Sequence, residues 1–300
     1  MNAAATSLAA DRPEPVRAER RVLWLASYPK SGNTWFRKIW KGFAGDRGDS
    51  LSPRYGQLSS RRLFEDVTGL SARDLSTAEL HAATPRVWSK IAAGPGPVSL
   101  VKAHDAFYSP VTGAPLFEAS ISLGAVYLVR NPLDVAVSFA FFAAREGAPP
   151  NFDQAVRTLN DQGRWMGRYG RAKLSPQFLS DWSNHVRGWM EQDVIPLALV
   201  RYEDMLDDAG GVFARTLETF GISGAGDAAR IEAAVDAARF ERLQAEEDEA
   251  GFPEKPEGAE RFFREGKAGG WRTHLTTEQA RSIVGAHGPM MTRLGYDTEI

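Results

Sequence analysis

The 300-residue sequence predicts a single α/β domain with a mostly parallel central sheet flanked by helices, and three observations carry that prediction. Four short apolar runs, at residues 22–26, 98–101, 124–129 and 197–200, are bounded by turn or polar residues, as buried strands are. Helical spacing fills the stretches between them, as crossovers between parallel strands require. Each run ends in polar or charged residues, and ligands of open parallel sheets bind at those carboxyl ends. A hydrophobic content of 43% over this length supports a sizeable core without a metal or disulfide staple.

Composition removes several functions. The chain has no cysteine, which excludes thiol catalysis, CxxC redox chemistry and thiolate zinc sites. A net charge of −2 carries no nucleic-acid signal, although a basic cleft for a small anion fits within that balance. Residues 1–20 are Ala-rich, then Pro- and charge-rich, which reads as a flexible leader and not as a secretory signal. No apolar run approaches the ~20 residues that cross a bilayer. The expectation is a soluble, cytoplasmic protein whose domain covers residues 21–300.

In chain order, the first strand at 22–26 breaks at Ser27 and a helix starts at Asn33. Trp35, Phe36, Ile39, Trp40 and Phe43 recur there at helical intervals. This is a P-loop-like phosphate-binding βα unit: the turn leaves backbone N–H groups and the positive dipole end facing the loop. With Lys30 beside it, the pocket suits an anion. A loop over 45–56 and a largely helical 57–93, clearest at 78–83, follow; Gly94-Pro95-Gly96-Pro97 ends them. The second strand runs into Lys102-Ala103-His104, and the third into Arg130-Asn131-Pro132. Asn131 is a candidate N-cap and Pro132 a first helical residue for a helix at 133–144. Further helices are expected at 178–192 and 211–220, and the fourth strand ends in Arg201-Tyr202-Glu203-Asp204. The least regular parts, 147–173 and 246–270, read as loops over a pocket. No repeat or linker divides the chain.

Taken singly, the polar strand endings decide little. Lys30-Ser31-Gly32-Asn33-Thr34 is not a Walker A box, because Lys precedes the only Gly. Lys102 and His104, two apart on a strand, share a face. Arg130 offers a planar charged fork for a phosphate, and Ser138 lies about two helical turns past Asn131. Each alone fits an ordinary turn, a surface ion pair or a structural histidine equally well.

Together they acquire a meaning. Tyr28-Pro29-Lys30-Ser31-Gly32-Asn33-Thr34-Trp35 resembles the 5′-phosphosulfate loop of the sulfotransferases that use 3′-phosphoadenosine 5′-phosphosulfate (PAPS), usually YPKSGTTW, with Asn33 replacing a Thr. Residues 126–141, VYLVRNPLDVAVSFAF, resemble that family's 3′-phosphate motif. Lys102-Ala103-His104 is similar to its Lys-Thr-His, and residues 262–276, FFREGKAGGWRTHLT, to its RKGxxGDWKxxFT segment. Glu265 there replaces a Lys and Gly270 replaces an Asp.

The resemblance implies that Lys30, Ser31, Gly32, Asn33 and Thr34 hold the 5′-phosphosulfate, and that Arg130, Ser138, Arg264 and the Gly266 backbone hold the 3′-phosphate. It implies base contacts from Trp35, Tyr202 and Phe240, and places His104 as general base with Lys102 and Lys30 steadying charge on the sulfuryl group. An acid beside a phosphate repels it, so Glu265 is expected to point outward. PAPS is the implied cosubstrate, without a metal. The implied partners are a small-molecule, sugar or lipid acceptor and at most a second copy of the chain, with no nucleic acid and no transmembrane segment. The acceptor falls to variable loops around Tyr108, Phe142, 151–173 and 246–263, where Trp165, Met166 and Tyr169 suit an apolar body and Arg164, Arg168 and Arg171 an anionic one. Two other classes compete: a P-loop-type small-molecule kinase, against which the missing Gly-Lys-Ser/Thr stands, and a non-catalytic nucleotide-binding protein on the same fold.

Overall fold

The first strand, β1 (Val22–Ser27), is wholly buried because its side chains alternate between two apolar faces. Val22, Trp24 and Ala26 join one core cluster, while Leu23 and Leu25 join the other. The Trp24 indole N–H donates to Ser122 Oγ at 2.7 Å, so the strand's one buried indole also satisfies its polar atom. The computed structural model describes residues 22–45, 61–92, 98–144, 147–167, 175–256 and 259–300. The leader at 1–20, most of the 45–56 loop and the Gly94-Pro95-Gly96-Pro97 stop lie outside the described residues.

Three further strands, β2 (Ser99–Ala103), β3 (Ser122–Val129) and β6 (Leu197–Arg201), complete a four-stranded parallel sheet in the order β2-β1-β3-β6. The chain therefore reverses its travel across the sheet at β1, which puts a crevice between the carboxyl ends of β1 and β3. Register sets which ends meet. Ala26 pairs with both Ala103 and Tyr127, so Ser27 comes level with His104 on one side and Leu128 on the other.

Helices cover both faces, as a parallel sheet requires. One face carries α2 (Arg61–Thr68), α3 (Thr77–Ala92), α4 (Pro132–Ala143), α5 (Phe152–Asn160), α6 (Trp182–Met190) and α10 (Thr277–Arg293). Trp88, Val135, Trp182, Trp189 and Ile283 are its deepest side chains. The other face carries α1 (Asn33–Ala44), α7 (Tyr202–Thr219) and α8 (Ala228–Ala237), with Phe36, Ile39, Phe213 and Leu217 in the core. The remaining α-helix among the described residues, α9 (Phe240–Ala250), leads into the 251–270 segment beside the crevice.

The structure differs from sequence expectation in instructive places. The helix expected at 178–192 starts only at Trp182, because Asp181 caps it, accepting from Asn184 N at 2.6 Å. Gln177–Phe178 instead form β5, antiparallel to β4 (Trp165–Met166). The 147–173 stretch contains α5, capped by Asn151. The 211–220 helix is the second half of α7; Asp208 breaks the ladder with φ −148° and ψ 72° and recaps it at Gly211 N, 2.8 Å away.

Candidate active site

The strand ends meet around one cavity of about 410 Å³. Lys30, Gly32, Asn33, Thr34 and Trp35 line it from the β1–α1 turn, Lys102 and His104 from the end of β2, and Arg130 and Ser138 from β3 and α4. Tyr202 enters from the start of α7, Phe240 from α9, and Arg264 and Gly266 from the C-terminal segment. Ser31 lies just beneath the cavity, buried, with its hydroxyl oxygen lacking a hydrogen-bond partner.

The β1–α1 turn is a backbone cradle. Lys30 and Gly32 both take positive φ, 75° and 98°. A side chain at Gly32 would be strained by that φ, and its Cβ would lie 2.7 Å from Tyr202 Cδ2. The first turn of α1 thus presents free N–H groups to the cavity. Thr34 Oγ1 accepts from Arg37 at 3.1 Å, which leaves its own proton to donate elsewhere. Asn33 turns inward: its amide donates to the Leu25 carbonyl at 3.0 Å and to Ser27 Oγ at 3.3 Å, bracing the strand end.

Charge is concentrated and poorly hydrated here. Lys30 Nζ sits 4.1 Å from the Phe142 ring centroid and 4.6 Å from that of Phe262. Burial, then the positive charges of Arg130 and Lys102, pull the Lys30 ammonium down to about 7. Arg130 donates to the Lys30 carbonyl at 3.3 Å and the Lys267 carbonyl at 2.9 Å, tying the two loops together, while its Nε is buried without a partner. Asn131 caps α4 by accepting from Leu133 N at 3.0 Å. In the first turn of that helix, Asp134 accepts from Gly269 N and Trp271 N, anchoring the C-terminal segment.

His104 is buried, and its Nδ1 lies 2.8 Å from the Ser27 carbonyl oxygen. A carbonyl only accepts, so Nδ1 carries the proton and the Nε2 lone pair is left for the cavity. Burial, reinforced by the Lys102 charge, holds the imidazole neutral well below its ordinary titration range. His185 lies behind it and donates from Nε2 to the His104 carbonyl at 2.9 Å.

Three acids that sequence reasoning did not place there line the cavity: Asp134, Glu254 and Glu265. Glu254 lines the cavity and pairs with Lys102 at 3.0 Å and with Arg37. It lies in the 246–270 stretch expected to cover a pocket, but no motif marks it. Glu265 does not point outward. It lines the cavity, pairs with Arg264, and lies 3.6 Å from His274 Nε2. Its Oε2 is 3.1 Å from where a Gly270 Cβ would stand, so the missing side chain at 270 makes its room.

Part of the cavity wall is apolar, with Phe139, Phe142, Met166, Phe262 and Phe263, of which Phe142 and Phe262 flank Lys30. Arg164 is not among them; it is buried under Phe139 and donates to Tyr28 Oη at 2.5 Å. Trp165 packs against His81 and Phe178, and Tyr108 is exposed beside its bridge to Pro115. Arg168, Tyr169 and Arg171 lie outside the described residues.

A positively charged backbone cradle at a sheet switch point thus faces a buried neutral histidine, and comparison gives the fold a family. The family model for the sulfotransferase domain matches residues 20–295, so the chain belongs to the sulfotransferase domain family. It is 25% identical to cytosolic sulfotransferase 1 of Danio rerio, over 85% of this chain and 77% of that one. It is also 25% identical to flavonol 3-sulfotransferase of Flaveria bidentis, over 89% and 80%. Among solved structures, mouse sulfotransferase SULT7A1 complexed with PAP superposes with a TM-score of 0.56 at 16% identity, covering 92% of this chain and 84% of that one, a likeness of fold.

Proposed function

We propose that this chain moves a sulfuryl group from PAPS to a hydroxyl or amine of a small-molecule acceptor by in-line displacement. The observation that carries the reading is the pairing of two cationic loci around one crevice, Lys30 with the α1 N-terminus and Arg130 with Arg264, opposite a lone pair on His104 Nε2. Two loci suit a nucleotide bearing phosphates on both the 5′ and 3′ positions. The residues fit such a group: Ser31 Oγ and Arg130 Nε are buried without partners, and Gly32 and Gly266 leave no room for a Cβ where backbone must approach closely. Trp35, Tyr202 and Phe240 supply aromatic surface for a base at that end.

In the reaction, an acceptor lone pair attacks sulfur and its proton passes to His104 Nε2. The bond between sulfur and the 5′-phosphate oxygen breaks, with its electron pair remaining on the phosphate. Lys30 and the α1 N–H groups face that growing charge already oriented, the arrangement that costs least reorganisation. The apolar wall of Phe139, Phe142, Met166 and Phe262 favours an acceptor with an apolar body.

Incubation with ³⁵S-labelled PAPS and panels of phenols, amines, sugars and lipids tests the reading. Labelled product, formed equally in EDTA, is the expected result. Binding of adenosine 3′,5′-bisphosphate without any transfer would point to a non-catalytic nucleotide binder. Thermal stabilisation by ATP with magnesium but not by the bisphosphate would point to a kinase.

A further inference from the structure

We propose that Glu254 is a positioning residue for the transfer reaction: its carboxylate, clamped between Arg37 and Lys102, keeps the Lys102 ammonium charged and fixed beside His104. This rests on the sulfuryl-transfer reading above. The geometry is a relay from one half of the site to the other. Thr34, in the phosphate turn, accepts from Arg37 at 3.1 Å; Arg37 pairs with one Glu254 oxygen, and Lys102 donates to the other at 3.0 Å. The Lys102 and Arg37 side chains are 11% and 15% exposed, whereas Glu254, at 34%, sits at the cavity rim.

The chemistry of the two cations gives Glu254 a directional role. Lys102 faces Arg37 from α1, Lys30 from the phosphate turn and His104 from its own strand, with Glu254 as its acidic partner. Burial disfavours its ammonium, and the Arg37 charge adds to that; the Glu254 carboxylate opposes both. Burial likewise works against ionised Glu254, but Lys102 and Arg37 overcome it and hold the carboxyl down at about 2. Take the carboxylate away and two poorly solvated cations face each other. An arginine does not give up its proton at accessible pH, so the lysine is the one whose titration falls. Loss of Glu254 therefore lowers the titration of Lys102, and with it that of Lys30, which Glu254 also supports, so the amine that should steady the sulfuryl oxygens loses its charge at lower pH than in the wild type.

The test is a ¹³C-lysine NMR titration of the free protein, with the Lys102 Cε signal identified by its disappearance in Lys102→Arg. In Glu254→Gln the Lys102 midpoint should fall by about one pH unit, the lower end of what a close opposite charge supplies. Adding Arg37→Met to that variant should raise it again, a rescue that a merely structural role of Glu254 would not produce. With PAPS and p-nitrophenol as acceptor, the alkaline limb of kcat in Glu254→Gln should move down by the same amount, read at saturating PAPS because Glu254 also supports the Lys30 charge. An unmoved Lys102 midpoint would overturn the proposal, as would a moved midpoint with an unmoved alkaline limb in an active enzyme. If the wild type transfers nothing while the midpoint moves and Arg37→Met rescues it, the sulfuryl-transfer reading fails and the control of Lys102 by Glu254 stands.

Discussion

The Arg130 guanidinium lies 4.3 Å from the centroid of the Tyr202 ring, so the side chain proposed to read the 3′-phosphate rests on one proposed to contact the base in the same cavity. The next residue along each strand end repeats the contact: Glu203 accepts from Asn131 N at 3.0 Å and from Tyr296 Oη at 2.9 Å. The ends of β3 and β6 are thus locked to each other. Arg130→Ala should weaken binding of adenosine 3′,5′-bisphosphate at least tenfold more than binding of AMP, because only the former carries the 3′-phosphate. Calorimetry with both ligands decides it, and equal losses would mean that Arg130 does not read that group.

The proton on His104 Nδ1 is committed to the Ser27 carbonyl, which leaves Nε2 as the atom that takes the acceptor's proton in the proposed reaction. His104→Ala should lower turnover by about 10²–10⁴ while leaving bisphosphate binding near wild type. Because burial and the Lys102 charge depress its titration, the base form persists below the ~6.5 of a free imidazole. The rate should then show no acid limb from His104 between pH 8 and 6. An acid limb centred near 6.5 that disappears in a His104 variant would contradict the burial argument.

What could be read in advance followed from local pattern. Four strands, their order of polar endings, and the cap at Asn131 and Pro132 all rest on a few adjacent residues, and each recurs in the structure. Long-range choices were not legible. Asp208 splits α7, so Tyr202–Asp207 lacked the length to read as helix. Glu254 meets Lys102 across 152 residues, and nothing in Phe-Pro-Glu-Lys announces it. Glu265 was misjudged because its freedom to enter depends on Gly270, five residues away, having no side chain. Asn33 braces Leu25 and Ser27 for a similar reason: the amide found buried partners that only the fold brings within reach.

Under the proposed function, Lys30 should make nucleotide binding pH-dependent. Its ammonium titrates at about 7 in the free protein, pulled down by burial and by neighbouring cations. A bound phosphate restores the charged form and raises that value. Above pH 7, binding must therefore take up a proton, and affinity should fall as pH rises. Titrations at pH 8 in buffers of differing ionisation heat should reveal uptake approaching one proton. Lys30→Arg should abolish it, since arginine stays charged; uptake that persists in this variant would assign the proton elsewhere.

Gly266 tests whether backbone approach matters. Its φ is +63°, and an added Cβ would fall 2.4 Å from Phe240 Cδ2. Gly269 has a similar φ of +78°, but its Cβ would meet only the end of Arg272 at 3.3 Å. Both alanine variants carry the left-handed strain of about 1 kcal/mol. Gly266→Ala alone also displaces the Phe240 ring. It should cost about tenfold more bisphosphate affinity than Gly269→Ala, measured side by side, and equal affinities would remove Phe240 from the base contact.

The buried histidines behind the site set its acid tolerance. His185 donates to the His104 carbonyl and accepts from Tyr127 Oη at 2.7 Å, so both ring nitrogens are used in the neutral form. Burial pushes His185 down to about 4, and burial does the same to His287 against the pull of Asp181. In the unfolded chain both titrate near 6.5. A depressed folded value means that the unfolded chain binds more protons between those limits. Stability is therefore fully present above about 6.5 and drains away as pH falls toward 4, at roughly 1.4 kcal/mol per pH unit for each such group. Urea unfolding at pH 7.5, 6, 5 and 4.5 should trace this loss. His185→Gln keeps a donor and an acceptor but does not titrate, so it should be less stable than wild type at pH 7.5 yet lose stability less steeply on acidification. A slope identical to wild type would mean that His185 is already charged in the folded protein, which its two hydrogen bonds forbid.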